Sequence, residues 1–205
     1  MAVRVKICGI TRLDDALDAC RAGADALGFV FHPASPRNIA PQTAAAIVAR
    51  LPPFVTSVGL FVDADAAFVE AVLATANLDL LQFHGHETPA ECGRFGKPYL
   101  KAVRVSPDTD LLEYAATYKA ARGLLLDAYV PGVAGGTGVA FDWGLIPPEL
   151  AGSIVLSGGL TPENVGEAVR RVRPWAVDVS SGVEAAKGVK DPHKVSRFIA
   201  NAKAP

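Results

Sequence analysis

The feature that most limits the fold of this chain is a series of eight short apolar runs, separated by segments with helical spacing. The runs begin about 20 to 30 residues apart, which is the length of one strand followed by one helix. They are Val3–Cys8, Ala26–Phe31, Thr56–Phe61, Leu78–Phe83, Tyr99–Val103, Gly123–Asp127, Ser153–Ser157 and Ala176–Val179. Eight such units fill a (β/α)8 barrel, so the sequence predicts a TIM barrel in which residues 1–205 form a single domain.

A doubly wound open sheet is the main alternative to the barrel. Such a sheet typically carries a glycine-rich dinucleotide or phosphate loop after its first strand. The sequence contains neither G-x-G-x-x-G nor G-x-x-x-x-G-K-[ST], and it has no Ser/Gly-rich linker that would suggest a second domain. The pattern therefore favours the barrel.

Charge and composition exclude several classes of partner. The 205 residues include 20 Lys and Arg against 21 Asp and Glu, with no basic run, which is not typical of a nucleic-acid-binding protein. No apolar run approaches the roughly 20 residues that span a membrane, and no apolar leader precedes the first strand, so we expect a cytoplasmic protein. The three cysteines, Cys8, Cys20 and Cys92, are widely spaced, which argues against a disulfide framework and against a zinc site.

Strand alternation predicts which side chains of the first strand enter the barrel. Residues two apart share a face, so Arg4, Lys6 and Cys8 lie on one side and the apolar residues between them lie on the other. The apolar side should pack against the helices, which directs Arg4, Lys6 and Cys8 inward. Because a buried charge needs a partner, we expect Lys6 to contact Asp178 of the eighth strand.

Cys8 ends the first strand, and active sites of TIM barrels lie at the carboxyl ends of the strands. A free cysteine at that position can be a small buried hydrophobe. The neighbouring Lys6 and the backbone amides of Gly9 and Ile10 form an electropositive setting, which is expected to lower the pKa of the Cys8 thiol. We therefore predict that Cys8 takes part in the chemistry.

Two glycine-rich turns follow the seventh and eighth strands. They contain Gly158 and Gly159 in the first turn and Ser180, Ser181 and Gly182 in the second. Turns at these two positions, next to a helix N-terminus, form the usual phosphate site of this fold, although glycine is also common in any tight turn. The sequence thus predicts a bound phosphate group.

Asp127 and Arg37 are further candidates at strand ends. Asp127 follows three leucines, and a carboxyl group flanked by apolar surface can act as a general acid beside a thiolate base, or can merely cap a loop. Arg37 lies on the loop after the second strand, where its guanidinium could bind a carboxylate or could be solvated.

Two histidines and one loop have no assigned role at this point. His32 and His84 have no third ligand at a suitable spacing, so we expect no metal, and the absence of a G-x-S-x-G motif argues against a serine triad. The glycine-rich segment from Pro131 to Phe141 is either a lid or a simple connection.

In combination, these motifs resemble the phosphoribosylanthranilate isomerases. The matching segments are Lys6–Thr11 (KICGIT), Gly28–Phe31, Ser35–Arg37, Val58–Val62, Leu81–Gly85, Leu125–Asp127, Gly135–Gly138 with Phe141–Trp143, Ser157–Leu160 with Pro162–Val165, and Asp178–Glu184 with Gly188, Lys190 and Asp191. The resemblance covers essentially the whole chain. It implies an Amadori rearrangement of a phosphorylated anthranilate sugar that needs no cofactor, in a monomer or a homodimer.

The resemblance also implies a role for each matching residue. Cys8 would be the general base, Asp127 the general acid, and Arg37 the ligand of the anthranilate carboxylate. The phosphate would be bound by Gly158, Gly159, Ser181 and Gly182, to which we add Ser180, and we expect Asp178 to contact the substrate.

Four alternatives remain open. Two are the related isomerase of histidine biosynthesis, which has an aspartate where this chain has Cys8, and a bifunctional enzyme that handles both sugar-phosphate substrates. A metal-dependent ribulose-phosphate epimerase would need a ligand set that the sequence does not supply. From a different class, the chain could be a sugar-phosphate-binding barrel without activity. Cys8 and Asp127 argue against that last alternative, and an assay with generated substrate separates it from an enzyme.

Overall fold

The protein is described by a computed structural model that covers residues 2–128 and 141–204. Within these ranges, eight parallel strands pair in chain order and close into a barrel, which confirms the predicted (β/α)8 fold. The strands are β1 Arg4–Cys8, β2 Ala26–Val30, β3 Thr56–Phe61, β4 Leu80–Phe83, β5 Tyr99–Val105, β6 Gly123–Ala128, β7 Val155–Leu156 and β8 Ala176–Val179. Residues 131–140, for which the sequence left open a lid, lie outside the described residues.

Helices surround the barrel between consecutive strands. They are α1 Leu13–Ala22, α2 Pro41–Val48, α3 Ala66–Thr75, α4 Pro89–Gly93, α5 Leu111–Thr117, α6 Pro148–Ala151, α7 Val165–Val172 and α8 Pro192–Lys203. Side chains satisfy the first amides of several of them: Asp65 caps α3, Thr88 and Glu91 form a capping box on α4, and Asp191 caps α8. No helix of the described ranges is long and apolar enough to cross a membrane.

A short hairpin follows β8. A 3-10 turn at Ser181–Val183 leads into β9 Glu184–Ala186, which pairs antiparallel with β10 Val189–Lys190. The β10 strand is tied to α1 because the amide of Lys190 donates to Asp15 Oδ2 at 3.0 Å. The hairpin therefore holds Glu184 and Lys190 close to the first strand and its helix.

The alternation predicted for β1 is confirmed at most positions. Val5 and Ile7 are fully buried in the cluster between strands and helices, whereas Lys6 and Cys8 are buried on the opposite, inner face. Arg4 is the exception and the prediction for it is wrong: at the N-terminal rim its side chain is 61% exposed and pairs with Asp25 at 3.0 Å. As the first residue of the strand, Arg4 reaches solvent instead of the interior.

Candidate active site

A cavity of about 400 Å³ opens at the carboxyl ends of the strands. All but one of the residues that the sequence singled out as a site line this cavity: Cys8, Arg37, Asp127, Gly158, Gly159, Asp178, Ser180 and Ser181. Gly182 is the exception, and it packs instead against the backbone carbonyl of Leu160, where a Cβ atom would collide. Its lack of a side chain lets the turn after β8 approach the turn after β7.

Cys8 lies at the end of β1 with only 5% of its surface exposed. Burial raises the pKa of the Cys8 thiol above the ordinary value of 9.0, and the positive charges of Lys6 and Lys190 oppose this shift without cancelling it. The expectation that the electropositive setting lowers the pKa of this thiol is therefore wrong, because the desolvation of a nearly inaccessible thiolate outweighs both charges.

The predicted contact between Lys6 and Asp178 is confirmed. Lys6 Nζ lies 2.9 Å from Asp178 Oδ1, and the two side chains are only 5% and 6% exposed. Burial acts to lower the pKa of Lys6, but the charges of Asp178 and Cys8 outweigh it and the pKa is raised. Ser157 Oγ lies 3.4 Å from the second oxygen of Asp178, so residues from β1 and from the turn after β7 hold this carboxylate.

Asp127 is the penultimate residue of β6, and each of its carboxyl oxygens has a defined contact. Its Oδ1 accepts the amide of Ala128 at 2.9 Å, and its Oδ2 lies 3.2 Å from His84 Nε2. The turn after β7 passes close by, because a Cβ atom on Gly158 would lie 2.9 Å from Oδ1 and the φ of Gly158 is +82°. Glycine at this position therefore keeps the turn against the carboxyl group.

Arg37 is bound to a carboxylate of the chain itself. Its Nε and Nη2 donate to the two oxygens of Glu184 at 2.7 and 2.8 Å. Lys190 Nζ donates to Glu184 Oε1 and to the backbone oxygen of Ser180, both at 3.0 Å. Gly9 leaves room for this arrangement, because a Cβ atom there would lie 2.5 Å from Arg37 Cδ.

The charges in this cluster shift one another. Burial acts to raise the pKa of Glu184, but its hydrogen bond from Arg37 and the charge of Lys190 outweigh burial and lower it. The hydrogen bond to Glu184 in turn raises the pKa of Arg37. The sequence assigned a role to Arg37 but none to Glu184 or Lys190, although both lie in segments that match the family, because no strand or helix pattern predicted that their hairpin lies over the site.

The two glycine-rich turns lie side by side at one end of the cavity. Gly158 and Gly159 both adopt positive φ, and Asn164 braces their turn by donating to Gly159 O at 2.9 Å and accepting from Thr161 N at 2.8 Å. Ser180 and Ser181 line the cavity from the neighbouring turn. A turn of small residues before the N-terminus of α7 is suited to an anionic group.

The described residues contain no group of three or more His, Cys, Asp or Glu that could hold a metal ion. His84 contacts Asp127 and Gln82 instead. Gln82 lies in β4 and His84 directly follows it, so alternation places both on one face. This alternation and their shared place in the Leu81–Gly85 segment are the sequence signals that link them.

The fold and its cavity define a TIM-barrel enzyme in which a thiol from β1 and a carboxyl group from β6 line one cavity at the carboxyl ends of the strands, beside turns suited to phosphate. The family model for N-(5'-phosphoribosyl)anthranilate (PRA) isomerase matches residues 5–201. The chain therefore belongs to the N-(5'-phosphoribosyl)anthranilate isomerase family.

Individual relatives agree with this assignment. An N-(5'-phosphoribosyl)anthranilate isomerase of Thiobacillus denitrificans is 68% identical over 204 residues and covers 100% of both chains. The crystal structure of phosphoribosyl anthranilate isomerase from Thermotoga maritima has a TM-score of 0.90 and 46% identity, covering 99% of this chain and 100% of that one. A structure of the isomerase in complex with reduced 1-(o-carboxyphenylamino)-1-deoxyribulose 5-phosphate has a TM-score of 0.87 and 45% identity, with 99% and 100% covered.

Proposed function

We propose that the chain is the isomerase that converts N-(5-phosphoribosyl)anthranilate to 1-(2-carboxyphenylamino)-1-deoxyribulose 5-phosphate, the third step from chorismate to tryptophan. The observation that carries this proposal is the placement of Cys8 and Asp127 in one cavity of a chain of this family. The relative bound to the reduced product, at 45% identity, supports the choice of substrate.

The reaction needs one acid and one base. Asp127 protonates the ring oxygen, the bond between that oxygen and C1′ breaks, and an iminium forms with the anthranilate nitrogen. The Cys8 thiolate then removes the proton from C2′ to give an enolamine. Ketonisation adds a proton at C1′ and releases the one on the C2′ hydroxyl, so no proton is gained or lost overall.

The remaining site residues bind the two anionic ends of the substrate. Arg37 has one terminal nitrogen beyond the pair that Glu184 engages, and it contributes its positive charge to the anthranilate carboxylate. The turns with Gly158, Gly159 and Ser180–Gly182 receive the phosphate, and Asp178 accepts a hydrogen bond from a ribose hydroxyl. Fixing both ends orients C2′ toward Cys8.

The fluorescence decay of generated phosphoribosylanthranilate tests the function directly, with wild type, Cys8→Ser and Asp127→Asn measured side by side. We expect wild-type turnover, near-abolition in both variants, and little change in their Kd for the reduced product. Binding by wild type without turnover would instead identify a sugar-phosphate-binding barrel without activity. Near-normal kcat in either variant would contradict the role given to that residue.

We also propose that the chain forms a homodimer in the cytoplasm, as one domain. Phe54 is fully exposed with a φ of 71°, beside a second cavity of about 320 Å³ at the amino ends of the strands, where Trp175 is also half exposed. Such exposed aromatic surface is typical of an association site. A Thermotoga maritima structure, 43% identical with a TM-score of 0.87 and 99% of this chain covered, is described as that of monomers generated from a dimeric phosphoribosylanthranilate isomerase, so the parent protein of that structure is a dimer.

A further inference from the structure

Three buried polar side chains form a continuous line from β4 to β6. Gln82 Nε2 lies 3.1 Å from His84 Nδ1, and His84 Nε2 lies 3.2 Å from Asp127 Oδ2. The three residues are 0%, 9% and 5% exposed, and all of them line the active-site cavity. The acid–base mechanism uses Asp127 and leaves His84 and Gln82 without a role.

The contact with Gln82 determines which ring nitrogen of His84 carries the proton. With the carboxamide nitrogen of Gln82 facing the ring, this nitrogen donates and His84 Nδ1 accepts, which in the neutral ring leaves the proton on Nε2. Nε2–H then donates to Asp127 Oδ2, while the Ala128 amide donates to Oδ1. With one fixed partner on each oxygen, the plane of the Asp127 carboxyl group is set.

The backbone that carries His84 is itself held in place. The His84 amide donates to Phe61 O at 2.9 Å, and the following residue, Gly85, is bound through its carbonyl to Lys101 Nζ at 2.6 Å. Glu87 accepts the amide of Gly85 at 2.9 Å and pairs with Lys101 at 2.8 Å. The imidazole is therefore presented to Asp127 from a rigid loop.

The side-chain amide of Gln82 makes only part of the hydrogen bonds available to it among the described residues. Its Oε1 is buried and has no partner among the described residues, so its hydrogen-bonding contact through Nε2 is the one with His84. A buried unpaired carbonyl costs on the order of 1–3 kcal/mol. This arrangement fits a side chain that orients a neighbour better than one that stabilises the core.

We propose that His84 is the positioning residue of the general acid and that Gln82 selects its ring tautomer. His84 holds the Asp127 carboxyl group in the orientation that reaches the ring oxygen of the substrate, without touching the reacting atoms itself. The inference rests on the proposed function, since it assumes that Asp127 is the acid.

Kinetics of two substitutions at His84 test the hydrogen bond to Asp127. His84→Ala is expected to lower kcat about 100-fold, in the usual range for a misplaced proton-transfer group. Its Kd for the reduced product should stay within about threefold of wild type, because a pure positioning role leaves binding intact. His84→Gln keeps an amide N–H within reach of Oδ2, so it should recover kcat to within about tenfold of wild type.

A matched control and a stability measurement separate positioning from folding. His86→Ala removes an exposed histidine two residues further along the loop, and it should retain wild-type kcat. Gln82→Leu should lower kcat without lowering the free energy of unfolding, because it removes the unpaired Oε1 along with the contact to His84.

Nitrogen-15 NMR of the wild-type His84 ring tests the tautomer without relying on activity or on any variant. We expect Nδ1 to be unprotonated and Nε2 to carry the proton; a proton on Nδ1 of the neutral ring would overturn the proposal. The proposal would also be overturned by equal losses of kcat in His84→Ala and His84→Gln, or by no loss in either variant. It would likewise be overturned if affinity for the reduced product fell in parallel with kcat. A wild-type protein without isomerase activity would refute the proposed function. That result differs from each of the outcomes that would overturn the role of His84.

Discussion

Lys6 Nζ lies 2.9 Å from Asp178 Oδ1 at the seam where β1 and β8 close the barrel. The two residues are direct partners in the register of these strands, and both side chains are almost completely buried. The pair thus has two tasks: it satisfies the charges inside the closed sheet, and it places a cation next to Cys8 and a carboxylate in the active-site cavity.

Removing one member of this pair should destabilise the protein far more than removing both. Lys6→Met leaves Asp178 buried and unpaired, and we expect a loss of about 3–5 kcal/mol in the free energy of unfolding, measured with urea. The double variant Lys6→Met/Asp178→Leu should recover most of this loss. Arg4→Met is the matched control, because the partly exposed pair with Asp25 should contribute at most about 1 kcal/mol. Similar losses in Lys6→Met and Arg4→Met would contradict the prediction.

Gly28 should be essential for the position of the Cys8 thiol. A Cβ atom on Gly28 would lie 2.6 Å from Cys8 Sγ and 3.1 Å from Cys8 Cα, and the backbone of β1 cannot yield to it. Gly28→Ala should therefore displace Sγ, lowering kcat at least tenfold and costing about 1–3 kcal/mol of stability. Gly93→Ala, which meets nothing within 4 Å, is the control and should be neutral for activity. Wild-type kcat in Gly28→Ala would show that the thiol position is not critical.

The reactivity of Cys8 should keep increasing into the alkaline range. Burial raises the pKa of its thiol above 9.0, so the reactive thiolate becomes more abundant as pH rises through that value. The rate of alkylation by iodoacetamide, measured in a Cys20→Ser/Cys92→Ala background, is expected to rise from neutral pH to beyond 9.0. A plateau at a lower pH would mean that Lys6 and Lys190 outweigh burial.

Acid should weaken the contribution of Glu184 to stability, but only at low pH. The folded-state pKa of Glu184 lies below its ordinary value of 4.5 because Arg37 and Lys190 outweigh burial, so the carboxylate binds fewer protons when folded than when unfolded. Its stabilisation is fully present above pH 4.5 and is lost as pH falls through the lowered pKa. The difference in unfolding free energy between wild type and Glu184→Gln should therefore shrink on acidification. A difference that stays constant down to strong acid would contradict this sign.

The sequence predicted the barrel, and it predicted that most of the candidate residues meet at one end of it, because both follow from local signals. Alternation along β1 and β8 was sufficient to pair Lys6 with Asp178. The protonation of Cys8 could not be predicted, because the neighbouring charges are visible in the sequence whereas the depth of burial that outweighs them is a property of the closed barrel. The ion pair of Arg37 with Glu184 joins residues that are 147 positions apart. It could not be predicted, because Glu184 lies in a short hairpin that has no recognisable periodic pattern in the sequence.

Phe54 should determine whether the chain is a dimer. Its side chain is fully exposed, which is costly for a large aromatic group unless a second chain covers it, and the cavity beside it is lined by apolar side chains that include Leu80, Leu100 and Val155. Phe54→Asp would bring a charge into that contact, so we expect the variant to sediment as a monomer where wild type sediments as a dimer. Because the active-site cavity opens at the opposite end of the barrel, kcat should be retained in the monomer while its thermal stability falls. Phe68→Asp, which changes a partly exposed phenylalanine on α3, is the control and should leave the dimer intact. A wild-type chain that is monomeric at all concentrations, or a Phe54→Asp variant that stays dimeric, would rule out this surface as the interface.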